Sequence, residues 1–311
     1  MGWTSNRAAR RSLKDSLPVV GGQAVRVTAL AGTLLTAYPP NRLSAQTVDQ
    51  LAVRLSAMTA VTGLEQAMAD SLLLLVPGSA RDRAGNVTLT LGAAGPKRLV
   101  ACPLDEVGYV VGNVTDDGYL TVRRVGVRIA YPLFDQQLEG QPVTVFGAGG
   151  AAVPGVVAVK STHLTRGRPA ASDPVFTADN AYVDVGARSR DDVRALGIAV
   201  LAPVALTKRP HRYGDRLLAA PAAGRRAACA ALVAAARVKP RVKGTVVVAF
   251  TVQSLYATNA GLSTVQALRG PFDETKQLTL ATRYTDTAVE TVSLKDAEEL
   301  ERELVKWMEG R

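Results

Sequence analysis

The chain holds few histidines and cysteines, the side chains that most often bind zinc and that form nucleophilic pairs. It has two histidines, His163 and His211, and two cysteines, Cys102 and Cys229. Neither histidine has a suitable ligand partner near it in the sequence, and the cysteine spacing is not that of a zinc-binding motif. We interpret the segment 208–212 (KRPHR), which contains His211, as a solvated basic loop. An anion-binding role for that loop and a nucleophilic cysteine–histidine pair are the weaker alternatives.

A glycine-rich segment at 146–150 (FGAGG) has the composition of a phosphate-binding loop. Such a loop needs a helix after it and a Lys-Ser or Lys-Thr pair, whereas this segment lies between predicted strands. We therefore interpret it as a turn.

Several short segments occur in an order that is typical of one peptidase family. Residues 101–108 (ACPLDEVG) resemble its Ala-His-Met-Asp-Glu-Ile-Gly motif, and residues 114–120 (VTDDGYL) resemble its Ile-Asp-Asp-Asp-Gly-Phe-Leu motif. The family is that of the glutamyl or deblocking aminopeptidases, which includes the tetrahedral aminopeptidases. Further matches are 62–65 (TGLE), 82–87 (DRAGNV), 155–164 (GVVAVKSTHL), 182–187 (YVDVGA), 250–253 (FTVQ), 283–284 (RY) and 289–290 (VE), so that the resemblance covers about residues 47–311.

The resemblance implies peptide hydrolysis by two zinc or cobalt ions. That reaction needs two cations about 3.5–4 Å apart, a bridging carboxylate, further ligands and a base that deprotonates water. Pro103 stands where the family has its first histidine ligand, and proline has no side-chain donor atom. Asp105 is retained, but in the family it only orients that histidine.

The other ligand positions implied by the resemblance are also changed. Gly224 and Arg225 replace a carboxylate pair, so that a cation stands where an anion is expected. Ser254 and Leu255 replace the glutamate base and a glutamate ligand, and neither side chain can do those jobs at neutral pH. Asp286 stands at the last histidine position and is almost alone as a ligand.

The segment between Val252 and Arg283 is only about thirty residues long, and the resemblance implies a much longer one. We predict that a further aspartate ligand, its strand and a glycine-rich segment are deleted there. The site is therefore predicted to hold no metal ion or other cofactor and no catalytic residue. Arg225 and Arg226 remain candidates for contact with the carboxylate of a bound ligand.

The hydrophobic pattern predicts the elements that position these residues. Apolar residues at helical spacing predict helices over 47–59 and 64–75 and at the C-terminus, where Ser293 is the expected cap. A nearly continuous apolar, β-branched run at 245–252 predicts a strand that is buried on both faces. The Ala-rich segment 225–237 has high helix propensity and predicts a helix. Further predicted elements are strands over 87–91 and 98–102 and a short helix over 191–196.

The middle third of the chain has a different character. Short valine-rich runs separated by Gly, Asp and Pro predict a β-rich domain over 108–203. The sequence therefore predicts an α/β fold, a sheet flanked by helices that is built from 46–107 and 204–311. The resemblance implies that this is a zinc-peptidase-like mixed sheet, that the inserted domain is β-barrel-like, and that such a domain helps subunits assemble.

Residues 1–45 carry +5 of the chain's net charge of +10. The sequence RRSLK at 10–14 resembles a twin-arginine export signal, and the weakly apolar run 27–37 and Leu-Ser-Ala at 43–45 follow it. We predict an export leader and a periplasmic or cell-envelope location. A disordered basic tail on a cytoplasmic protein is the alternative.

The remaining charge is spread over a large body and forms no basic stripe with interleaved aromatic residues. We therefore expect no nucleic-acid partner. No apolar run of about 20 residues occurs, so we expect no transmembrane segment. Cys102 and Cys229 form a single bridge only if the protein is exported, and the expected state is two buried free thiols.

These observations predict a catalytically inactive relative of a two-metal aminopeptidase. It would act as an interaction or scaffold subunit, either as a homo-oligomer or with another protein. Two alternatives stay open. One is a weak or atypical metallo-aminopeptidase, and the other is a protein that binds peptides or peptidoglycan fragments in the former substrate cleft.

Overall fold

The computed structural model describes residues 46–126, 132–159, 175–256 and 258–311. The predicted leader and His163 lie outside these residues. The helices are α1 (Val48–Ser56), α2 (Gln66–Leu75), α3 (Arg190–Ala195), α4 (Ala223–Arg237), α5 (Ala260–Arg269) and α6 (Leu294–Glu309).

The strands, in chain order, are β1 (Ala80–Arg81), β2 (Val87–Leu91), β3 (Lys97–Pro103), β4 (Gly108–Val114), β5 (Leu120–Val125), β6 (Pro142–Phe146), β7 (Ala152–Val157), β8 (Tyr182–Asp184), β9 (Pro203–Leu206), β10 (His211–Tyr213), β11 (Leu217–Ala219), β12 (Thr245–Thr251), β13 (Glu274–Gln277), β14 (Thr282–Arg283) and β15 (Thr291–Ser293). Single-turn 3₁₀ segments occur at Ala148–Gly150 and Ala178–Asn180, and a longer one at Pro132–Leu138.

A five-stranded mixed sheet, with strand order β1-β2-β12-β3-β13, forms the α/β body. β12 and β13 pair in parallel with β3, whereas β2 pairs antiparallel with β12. β13 lies in the segment where we predicted that an aspartate ligand, its strand and a glycine-rich segment are deleted. The predicted loss of a strand is wrong, whereas the loss of the ligand stays a prediction. The four residues of β13 are all exposed, so it carries no apolar pattern from which a strand is predictable.

The two faces of this sheet bury alternate residues of the same strands. Val100 and Cys102 of β3 belong to the core under α1, α4 and α6, whereas Leu99 and Ala101 pack towards α5. α4 is buried around nearly its whole surface, because its many alanines allow close contact with the sheet and with α1 and α6. These contacts hold the first turn of α4 against the end of β3.

The middle of the chain forms a closed barrel of six strands in the order β4-β5-β8-β7-β6-β9. Its interior is a separate apolar core of mainly valine and leucine side chains. The glycine-rich segment 146–150 makes the connection between the antiparallel strands β6 and β7, as predicted for a turn. The α/β body and the inserted β-barrel-like part agree with the predicted fold class.

A second sheet, with strand order β10-β11-β15-β14, lies in the C-terminal half. β10 includes His211 and pairs with β11, so the segment 208–212 is not simply the loop that we predicted. β15 leads into α6, whose first turn is capped by Ser293 as predicted: Ser293 Oγ accepts a hydrogen bond from the Asp296 N–H. No helix in the described parts of the chain is long and apolar enough to cross a membrane.

Candidate functional site

The carboxyl ends of β3 and β12 bring the retained motif residues together. These strands are parallel and Pro103 lies opposite Thr251, so the segments after them leave the sheet side by side. Asp105 follows β3 and Ser254 follows β12, which places both at the edge where open α/β sheets usually bind ligands. Pro103 is buried there and offers no polar side chain.

Asp105 is fully buried, and both of its oxygens accept hydrogen bonds. Oδ2 accepts from Thr62 Oγ1 and from the Leu255 backbone N–H, each at 2.9 Å. Oδ1 accepts from Ser254 Oγ at 2.6 Å. A carboxylate removed from water also needs a nearby cation to balance its charge.

That cation is Arg225, in the first turn of α4. Its Nη1 donates a hydrogen bond to Ser254 Oγ at 2.7 Å and lies 3.7 Å from Asp105 Oδ1. Two like unit charges about 4 Å apart repel by about 4 kcal/mol at an effective dielectric constant of about 20, and a dication doubles this. The guanidinium group therefore opposes a metal ion at this edge of the sheet.

Gly224 leaves no space for the carboxylate that the resemblance places there. A Cβ atom on Gly224 would lie 2.5 Å from Thr282 Cγ2 and 3.2 Å from Glu290 Oε1. Glu290 Oε1 instead accepts a hydrogen bond from the Gly224 N–H at 2.8 Å, and Oε2 accepts one from the Asp286 N–H at 3.0 Å. Burial raises the pKa of Glu290, and these backbone donors oppose that rise.

Restoring the carboxylate at position 224 is expected to destabilise the protein without creating a metal site. Gly224→Asp forces Thr282 to shift and places a second buried carboxylate beside Glu290, so we expect a loss of about 1–3 kcal/mol in unfolding free energy. Urea unfolding of Gly224→Asp and Gly224→Ala separates the charge from the added Cβ. A fully stable Gly224→Asp protein that binds zinc would contradict the steric argument.

Glu106, Lys208 and Arg226 form a buried charge cluster next to the Asp105 network. Glu106 pairs with Lys208, and Arg226 Nη2 lies 3.2 Å from Glu106 Oε2. Burial by itself raises the pKa of Glu106, but Lys208 and Arg226 outweigh it and hold that pKa below its ordinary value. Burial lowers the pKa of Lys208, and Glu106 partly offsets this effect.

This cluster corrects two predictions. Arg226 is 1% exposed and donates to the Leu104 carbonyl, so it is not available for contact with a ligand. Lys208 was assigned to a solvated basic loop, but its side chain is buried in an ion pair with Glu106. Arg225 and Arg226 are neighbours in the sequence, yet only Arg225 faces the cleft.

The residues present do not fit a two-metal centre. Leu255 supplies its backbone N–H to Asp105 and has an apolar side chain, and Ser254 is occupied by Arg225 and Asp105. Leu278 and Thr279 follow β13, so that strand brings no carboxylate to the edge. Within the described ranges, no three His, Cys, Asp or Glu side chains are grouped to hold a metal ion.

Cys102 and Cys229 form a disulfide bond, so our expectation of two free thiols is wrong. Cys102 points from β3 towards α4, and Cys229 lies on the buried face of α4. Their Cα atoms are 5.5 Å apart, within the usual reach of a disulfide. Both residues are at most 1% exposed. The bridge ties the end of β3 to α4, one turn beyond Arg225.

A cleft of about 600 Å³, its open mouth included, lies between this edge of the sheet and the barrel. Arg225, Asp286 and Glu290 contribute charged groups to its lining, as does the Glu106–Lys208 ion pair. Its apolar walls include Phe134, Leu206, Leu255 and Pro221. The arrangement provides fixed charges of both signs beside an apolar surface.

Sequence reasoning gave no role to Glu290 and Lys208. The Val-Glu pair at 289–290 was recognised as part of a motif, and this match is the sequence signal that could have identified Glu290 as a site residue. Lys208 gave no such signal, because the residues around it are polar and its partner Glu106 is 102 positions away in the sequence.

Comparison with known proteins places these features in a family. The chain is 32% identical over 184 residues to the protein SgcX of Escherichia coli strain K12, and the aligned region covers 57% of this chain and 47% of SgcX. It is 30% identical over 142 residues to the lysyl aminopeptidase of Pyrococcus furiosus, and the aligned region covers 44% of this chain and 39% of that enzyme. The chain thus spans about half the length of the curated relatives it matches, or less.

Solved structures share the fold at low identity. An aminopeptidase from the archaeon Desulfurococcus kamchatkensis matches with a TM-score of 0.70 at 18% identity, over 85% of this chain and 95% of the other. The TET1 peptidase of Pyrococcus horikoshii matches with a TM-score of 0.69 at 18% identity, over 84% of this chain and 99% of the other.

The model of the M42 glutamyl aminopeptidase family matches residues 85–254, more than half of the chain. Together with the ordered motifs and the barrel inserted in an α/β body, this match means that the chain belongs to the M42 family of glutamyl aminopeptidases.

Proposed function

We propose that this chain is a catalytically inactive member of the M42 family. The observation that carries the proposal is the position of Arg225, whose guanidinium group bonds to Ser254 and balances Asp105 at the edge where a metal pair is expected. A protein that hydrolyses peptides through two metals needs ligands and a base at this edge. The side chains there instead form hydrogen bonds and ion pairs with one another.

The retained function is then interaction with protein, as an assembly or scaffold subunit. Support comes from the barrel, which keeps its own apolar core although the metal-ligand positions are changed. The TET1 peptidase of Pyrococcus horikoshii assembles into a tetrahedron or an octahedral shell, and we extend self-assembly to this chain as a homo-oligomer. Light scattering of the purified protein tests this, and a monomer at micromolar concentration would contradict it.

We further propose that the protein works in the bacterial cell envelope. The Cys102–Cys229 disulfide supports an oxidising compartment, in which such bonds form and persist. The twin-arginine-like leader is the second support. Fractionation of cells that express the full chain, with N-terminal sequencing, is expected to give a protein that begins near Gln46 outside the cytoplasm.

Hydrolysis assays test the absence of catalysis. We expect no release of anilide from leucyl, lysyl or glutamyl substrates, with or without added zinc or cobalt, above the rate of a sample lacking protein. A metal-dependent member of the family serves as positive control. Metal-dependent turnover would favour the alternative of a weak or atypical aminopeptidase and would end the proposal of an inactive relative.

A further inference from the structure

The cleft beside Arg225 holds charges of both signs, and among the described residues Arg225, Asp286 and Glu290 form no direct ion pair with one another. Among the described residues, no Lys or Arg nitrogen lies within 4 Å of the Asp286 or Glu290 carboxylates. Arg225 lines the same cleft as both of them. Opposite charges held apart in one cavity leave both sites open to a ligand.

Arg225 is anchored on one side only. Nη1 bonds to Ser254, and in the described part of the chain Nη2 and Nε have no hydrogen-bond partner. The side chain is 32% exposed. Because Ser254 and Asp105 fix the orientation of the guanidinium plane, its free nitrogens form a fork that matches a carboxylate group. A neutral peptide carbonyl is a poorer partner for such a fork.

Glu290 and Asp286 face the cleft as acceptors. Each Glu290 oxygen accepts one backbone N–H and keeps capacity for a second donor. Burial raises the pKa of Glu290 and the neighbouring Asp286 charge acts in the same direction, whereas two backbone donors and the Arg225 charge oppose that rise. A cation bound beside the two carboxylates would reduce their mutual repulsion. An ammonium group supplies both the charge and the donors.

We propose that the cleft binds a small α-amino-acid zwitterion, whose carboxylate lies on Arg225 and whose ammonium group lies on Glu290 and Asp286. An apolar side chain on the ligand then contacts Leu206, Leu255 and Phe134, which line the cleft. The inference rests on the proposed absence of a metal pair, because Arg225 is available to the ligand only in that case. It adds a ligand class that an inactive scaffold does not require.

Calorimetric titration of the full chain with three matched probes tests this. L-leucine carries both charges, L-leucinamide lacks the carboxylate, and N-acetyl-L-leucine lacks the ammonium group. We expect L-leucine to bind with a Kd of about 0.1–1 mM, given its size, and each analogue to bind at least about tenfold more weakly.

Three outcomes overturn the proposal. If leucinamide binds as tightly as leucine, the carboxylate does not contribute to binding. If N-acetyl-leucine binds as tightly as leucine, the ammonium group does not contribute and the site accepts any carboxylate. No heat from any probe at about 10 mM leaves no zwitterion site. In that case the proposal of an inactive relative still stands, provided that the zinc and anilide assays are negative. Zinc binding with turnover overturns the inactive relative instead.

Variants locate the site. Arg225→Gln is expected to weaken leucine binding about 30-fold, by loss of a charge-assisted bidentate contact. Asp286→Asn changes an exposed side chain that no described hydrogen bond uses, so it keeps the fold and is expected to weaken binding about fivefold. Arg194→Gln, on α3, is the matched control and should leave the affinity unchanged. Unchanged affinity in folded Asp286→Asn contradicts the assigned ammonium site.

Discussion

Replacement of Arg226 by Met is expected to lower the free energy of unfolding by about 3–5 kcal/mol, because a buried charge cluster then loses one partner. Arg226 is 1% exposed, and it joins the Leu104 carbonyl to Glu106 at the point where β3 leads into the barrel. Without it, Glu106 depends on Lys208 alone for compensation. Urea unfolding followed by circular dichroism measures the loss.

Two controls separate this effect from a general cost of removing arginine. Arg194→Met removes an exposed ion pair with Asp191 and is expected to change stability by no more than about 0.5 kcal/mol. In the Arg226→Met background, Glu106→Gln is expected to cost far less than it does in the native chain, because the two residues act as a pair. A loss below about 1 kcal/mol for Arg226→Met would show that the cluster does not stabilise the fold.

Removal of the disulfide is expected to cost about 2–5 kcal/mol, the second-largest effect that we predict. Cys102 and Cys229 are 127 positions apart in the sequence, so the bridge closes a long loop that contains the whole barrel. Such a cross-link reduces the conformational freedom of the unfolded chain. The variant Cys102→Ala/Cys229→Ala therefore unfolds at lower denaturant concentration than the oxidised protein.

Reduction provides an independent form of the same experiment. Both cysteines are buried, so a thiol reductant acts mainly on the unfolded chain and lowers the midpoint of unfolding without changing the native spectrum. Each single Ala variant is expected to lose about as much stability as the double variant, because either substitution breaks the one bridge. Equal midpoints for the oxidised and reduced native sequence would contradict a structural role for the bond.

The elements around the site differ in how far the sequence predicts them. β12 and α4 are predictable because each is a single unbroken pattern, a β-branched run in one and an alanine-rich stretch in the other. β13 is not, because it is a short, fully exposed edge strand that β3 holds in place. Its pairing is a tertiary effect that leaves no trace in local hydrophobicity.

The candidate site divides in the same way. The side-chain chemistry of Pro103 and Leu255 alone shows that neither can bind a metal. The positions of Arg225 and Arg226 are not predictable from chemistry. Neighbouring residues of α4 point in different directions, so one guanidinium group faces the cleft and the other the core. The disulfide likewise depends on the packing of α4 against β3, which brings two distant cysteines within reach.

Three connections join α4 to the carboxyl ends of β3 and β12. In this chain Arg225 joins α4 to the end of β12, Arg226 joins α4 to the segment after β3, and the disulfide joins α4 to β3 itself. Side-chain cations and one covalent bond thus connect the elements that meet at this edge.

Metal content after exposure to zinc tests the central claim most directly. The full chain is incubated with excess zinc, freed of unbound metal by gel filtration and analysed by inductively coupled plasma mass spectrometry. We predict less than about 0.1 zinc ion per chain, because Arg225 opposes a dication and, of the former ligand positions, only Asp286 carries a carboxylate. About two zinc ions per chain, lost on chelation, would contradict the account and identify a working two-metal site.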